Sequence, residues 1–173
     1  GCQPIDDGNY LFTQQEYEQF ILKEPQSTPY FHRWVGSDEF INNTIRYCLW
    51  LGNCPPDELR KMPEVLKRVD AVKQFRLKSK REQTLKMANQ PAKFYLESIP
   101  TGTYVVVPET SSENRNYIPI GFLNQEYFCS NAVRMIPNAT LYHFGILTSS
   151  MHIAWVRYVC GRLESRYRYS AGI

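Results

Sequence analysis

Val105, Val106 and Val107 form an unbroken apolar run, and Tyr117, Ile118, Ile120 and Phe122 form a second one after a polar gap. Continuous short runs bounded by turn residues predict buried strands, here 103–107 and 117–123. The gap itself, Thr110 to Asn116, consists almost entirely of hydrogen-bonding side chains, with Arg115 as its one cation. Runs at 132–136 and 141–147, separated by Pro, Asn and Gly, continue the strand-like pattern. The period then changes. Met151, Ala154, Trp155, Tyr158 and Val159 share a face at helical spacing, so 151–163 predicts a helix capped by Ser149 or Ser150. Trp155 and His152 are expected in the core. "SRYRYSAG" at 165–172 alternates Arg and Tyr with period two, which predicts an exposed strand.

The first half mixes short apolar runs with turn residues. Asn9 to Phe12 predicts a strand, and Thr13 followed by Glu16 has the form of a capping box before "EYEQFILKE". Pro25 and Pro29 end that helix, and "RYCLWLGN" predicts a buried strand closed by Gly52-Asn53 and Pro55-Pro56. Residues 57–90 read as helical, with Asp57 and Glu58 at the start and an apolar face of Met62, Val65, Leu66, Val69 and Val72. At about 100° per residue from Val69, the cations Lys73, Arg76 and Lys80 fall on that same face. Either the helix breaks near Phe75, or it leaves the core and presents a basic stripe to which Lys78 and Arg81 add charge. The expected fold class is α+β, a twisted, mainly antiparallel sheet from the second half with packed helices. It is expected as one domain over 1–173, divided into a leading segment 1–56, a basic helical segment 57–93, and a sheet plus helix over 94–173.

Composition narrows the function classes. With 43% apolar and 21% charged residues over 173 positions, the chain is globular, and no apolar run is long enough for a membrane span. The net charge is only +3, but eleven Lys and Arg against three acids lie within 60–93. Such a concentration points to a polyanion contact rather than to general solubility. Five cysteines, with no C-x-x-C pair, are expected as reduced and mostly buried thiols of a cytosolic protein, with no metal site. The chain starts without Met and stops in a strand-like stretch, so it is expected to be a piece of a longer protein.

Intrinsic catalysis has little support. Three histidines exist, but no nucleophile motif, phosphate-binding loop or dinucleotide fingerprint accompanies them. Nucleic acid suits what remains. Lys73, Arg76, Lys78, Lys80 and Arg81 are candidates for phosphate contacts, as are Arg166 and Arg168, with Tyr167 and Tyr169 free to donate a hydrogen bond or stack. Ser111, Ser112, Arg115 and Asn116 at the polar tip are candidates for base edges or phosphates. The competing classes are a protein-interaction module and an RNA-binding module, each using the basic segment 60–93. The strands lack the aromatics of RNA-reading sheets.

Three stretches carry a resemblance: "RYCLWL…RVDAVKQFRLKSKR", "YIPIGFL" and "IPNATLYHFGILTSSMHIAWVRYVCGRLESRYRYSAGI". Together they resemble the target-recognition region of MmeI-like bacterial restriction–modification enzymes, a class of S-adenosylmethionine-dependent DNA adenine-N6 methyltransferases. The resemblance runs over nearly the whole chain. It implies a cytoplasmic bacterial protein whose catalytic methyltransferase domain lies elsewhere in the same polypeptide and possesses the S-adenosylmethionine site. That domain's Gly-rich loop and Asn-Pro-Pro-aromatic motif do not occur here; "CPPDE" at 54–58 has the prolines alone. The implied role is to bind double-stranded DNA and choose its sequence, with no catalytic residue and no cofactor of its own. "SSE-x-R-x-YIPIGF" resembles shared family pattern, which favours a backbone contact or structural role for Glu113 and Arg115.

Overall fold

Thr13 closes the first strand and caps the first helix. Its hydroxyl accepts from the Glu16 N–H at 3.3 Å while its own N–H donates to Glu16 Oε2 at 2.8 Å, so the capping box foreseen from sequence forms. The computed structural model describes residues 1–170 and Gly172. In chain order its elements begin with β1 (Leu11–Thr13), α1 (Gln14–Lys23), a 3-10 turn (Pro25–Tyr30), β2 (Phe31–Val35) and α2 (Ser37–Asn42). There follow β3 (Arg46–Leu49), α3 (Pro56–Leu59), α4 (Pro63–Leu77) and α5 (Glu82–Met87). The second half adds β4 (Tyr104–Pro108), β5 (Thr110–Ser111), β6 (Gly121–Leu123), β7 (Tyr127–Cys129) and β8 (Val133–Pro137). It ends with α6 (Leu141–Leu147), α7 (Ser150–Val159), β9 (Gly161–Leu163) and β10 (Arg166–Arg168). The class is α+β.

These elements form two compact units. One comprises residues 2–34 and 45–97; the other comprises Gly1, residues 35–44 and the segment from Ser98 onward. In the first unit, β3 pairs antiparallel with both β1 and β2. Phe12, Phe20 and Phe31 pack edge to face, with centroids 5.0–5.7 Å apart, and the Arg68 guanidinium lies 4.1 Å over Phe12. Helix α4 buries Val65 and Val72, but it ends at Leu77. Of the two alternatives, the helix break is the one found, two residues beyond Phe75: Lys80 and Arg81 follow the helix rather than extend its face. A sheet in the first half was not foreseen in this form.

In the second unit, β4 is flanked by β6 and β8, all antiparallel. Its two faces are both covered. Val105 and Val107 pack with Ile118, Ile153 and Val156, while Tyr104 and Val106 pack with Val35, Cys129 and Val133. Burial on both faces is why the run is continuously apolar instead of alternating. A second small sheet has the order β5-β10-β9.

Five sequence expectations are corrected here. Residues 141–147 form helix α6, not a strand. Thr140 N–H donates to His143 Nδ1 at 3.1 Å, a capping arrangement in which His stands where Glu is usual, and a short apolar run does not discriminate helix from strand. Helix α7 stops at Val159, and Gly161 opens β9. Trp155 is 55% exposed, since α7 buries Ile153 and Val156 instead. The 117–123 strand shortens to 121–123. In the 165–172 stretch, Arg166 and Arg168 face outward and Tyr167 and Tyr169 inward, and Ala171 lies outside the described residues. Their burial removes both tyrosines from stacking on a ligand.

Candidate nucleic-acid interface

An open groove of about 460 Å³ is lined from three directions within the second unit. Strand β5 and the loop after it supply Thr110, Ser111, Ser112 and Arg115; β10 supplies Arg166; α2 supplies Ser37, Asp38, Ile41 and Asn42. The register explains the first two. Ser111 pairs with Tyr167 and Thr110 with Arg168, so the polar tip and the Arg–Tyr strand share one sheet although they are far apart in sequence.

Ser111 is 4% exposed, and among the described residues its Oγ meets no hydrogen-bond partner. A buried hydroxyl left this way costs about 1–3 kcal/mol. Ser112 turns its hydroxyl to the Asn114 N–H at 3.2 Å, and its carbonyl accepts from the Arg115 N–H at 3.2 Å, which fixes the tip. The Arg115 side chain is exposed, and among the described residues it makes no ion pair. Arg166 pairs with Glu164 at 2.8 Å. A hydrogen bond from its own backbone N–H, then one from the Ser165 hydroxyl, hold the Glu113 carboxyl below its ordinary value, with Arg162 and Arg166 adding to this. On the α2 wall, Asn42 donates to Asp38 at 2.9 Å. The groove thus offers donors, acceptors and two guanidinium groups, one on β10 and one in the loop after β5.

The other candidates are placed differently. Asn116 is exposed beside the groove, and its carbonyl accepts from Arg157 at 3.5 Å. Arg168 donates to Glu109 at 3.2 Å, and Arg134 also meets Glu109 at 3.3 Å. Lys73, Lys78, Lys80 and Arg81 are exposed on the first unit. Arg76 is corrected: it is fully buried, so it has no surface to offer DNA. Its guanidinium donates to the carbonyls of Pro4, Ile5, Met87, Gln90 and Lys93 at 2.8–3.1 Å. Sequence reasoning missed α2. The signal was present in "GSDEF": Glu39 accepts from the Gly36 N–H at 2.9 Å and so starts that helix.

A family model for the MmeI target recognition domain matches residues 1–173. The chain belongs to this family. This target recognition domain is 43% identical over 173 residues to DNA methyltransferase A of Bacillus subtilis (strain 168), covering all of the chain and 20% of that protein. It superposes with a TM-score of 0.97 and 54% identity on a solved structure of the type IIL restriction–modification enzyme MmeI in complex with DNA, covering all of the chain and 23% of that one. The domain therefore spans about a fifth of the length of these relatives.

Proposed function

We propose that this target recognition domain binds double-stranded DNA and selects its sequence on behalf of a bacterial, cytoplasmic restriction–modification adenine-N6 methyltransferase. The observation that carries the reading is the groove, which gathers Ser111, Ser112, Arg115 and Arg166 on a family fold. Asn116 and Arg168 extend it. Lys73, Lys78, Lys80 and Arg81 supply sequence-independent phosphate contacts from the first unit. Adenine must leave the duplex before methyl transfer, at a cost of a few kcal/mol. Phosphate contacts by this domain offset that cost and hold the flanking duplex in register, while groove side chains discriminate bases at about 1–3 kcal/mol per good bidentate pair. S-adenosylmethionine belongs to the methyltransferase core; the residues here include neither its Gly-rich loop nor the Asn-Pro-Pro-aromatic motif.

Fluorescence anisotropy of labelled random duplex, read at low and then moderate salt, tests the reading. Binding that weakens steeply with salt supports it, and a randomised-duplex selection then gives the preferred sequence. Stronger competition by single-stranded RNA than by duplex would transfer the site to RNA, and absence of duplex binding by the full-length protein would end the proposal. Arg115→Ala separates two roles of the tip. Uniform weakening on all sequences assigns Arg115 to the backbone, and a changed base preference makes it a reader.

A further inference from the structure

Helix α7 is apolar on two opposite sides. Ile153 and Val156 enter the core beside Val105 and Val107. On the other side, Met151 is 81% exposed and Tyr158 88%, with Trp155 between them. Their spacing of four and then three residues puts them on one stripe, and Ala154 and Val159 widen it. That arc contains no charged residue; Arg157 lies at its flank. A solvated helix face is normally polar, and a helix apolar all round is one buried all round. Met, Trp and Tyr are also the side chains that protein interfaces enrich. Helix α6 adds exposed Leu141 and Tyr142.

We infer that the Met151–Trp155–Tyr158 face of α7 is where this domain docks onto the rest of its own polypeptide, against an apolar, uncharged surface. The relatives are between four and five times as long as the chain, and in a parent of that length a large partner is covalently at hand. Duplex DNA fits poorly, because interfaces with DNA are polar and rich in cations and this stripe has none. The inference rests on the proposed role within a longer methyltransferase, but not on the groove being the DNA site.

Hydroxyl-radical footprinting of the full-length protein tests it without any substitution, since Met, Trp and Tyr are all readily oxidised. In DNA-free protein, the oxidation rates of Met151, Trp155 and Tyr158 should fall about an order of magnitude below those of the same residues in the unfolded, digested protein. Rates near the unfolded level, with and without DNA, would overturn the inference. Protection that appears only with duplex would overturn it by giving the face to DNA, and protection that vanishes on dilution would give it to a second copy. A protein that fails to bind DNA but shows the protection would sink the proposed function and leave this surface standing.

Discussion

Arg76 shows how one residue type serves opposite purposes. A cation on the apolar face of a helix reads as a polyanion contact, yet here its five donors all meet backbone carbonyls from residues 4–5 and 87–93. Those loops lack strands of their own, and the guanidinium ties them to α4. Arg76→Lys keeps the charge but not the planar fork. It should destabilise the domain by about 3 kcal/mol, because several buried carbonyls lose their donor. Urea unfolding measures this, and a loss below about 1 kcal/mol would show that charge alone suffices. Hydrogen-bond geometry of this kind leaves no periodic trace, so Arg76 and Lys73 look equivalent in the sequence. His152 gives a pH-dependent counterpart. It is half-buried, its Nε2 lies 3.2 Å from the Tyr169 hydroxyl, and burial lowers its pKa below 6.5. The folded state favours the neutral ring, so below pH 6.5 the unfolded chain takes up the proton more readily. Stability from this site is complete above that pH and falls as pH drops through it. His152→Gln should flatten that part of a melting-temperature profile.

At the scale of elements, the legible parts are those governed by neighbours in sequence. Thr13 with Glu16, the helix ended by Pro25, the Val105–Val107 strand and the Ser149 cap all depend on residues within a few positions, and each forms. Helix α4 shows the limit. Its N-cap, Met62, offers no side-chain cap, and the role falls to Glu24, forty residues earlier in the chain. That buried carboxylate accepts from the Glu64 N–H at 3.0 Å and the Val65 N–H at 2.8 Å. Glu24→Ala should cost about 1–2 kcal/mol through two orphaned donors at a helix start. Glu24→Gln should recover part of that, since an amide oxygen still accepts but has no charge for the dipole. Chemical denaturation of the three proteins gives the order; equal stability would show that water serves those donors as well. Residues 141–147 fail for the same reason. Their apolar run is compatible with either element, and what settles it is Phe144 and Leu147 meeting the Val105 cluster.

At the scale of the molecule, the charge pattern points to a polyanion contact but does not display how the cations divide. The exposed Lys73, Lys78, Lys80 and Arg81 belong to the first unit, while Arg115 and Arg166 line the groove of the second. The sequence displays the first set as a dense run. It hides the second, because β5 and β10 meet across more than fifty residues and α2 comes from earlier still. The two sets have different work under the proposed function. A dense run of lysines on flexible stems suits phosphates, whereas a groove that gathers hydroxyls, amides and guanidiniums suits discrimination. Replacing Lys73, Lys78, Lys80 and Arg81 with Gln should weaken binding to every duplex in like measure. The slope of log affinity against log salt should become shallower by roughly 0.9 for each phosphate that is no longer neutralised. Base preference should stay the same, because phosphates are alike at every sequence. Measured on the full-length protein with preferred and random duplexes, an altered preference would make this segment a reader of bases. An unchanged salt slope would take it off the DNA and leave an acidic protein surface as its partner.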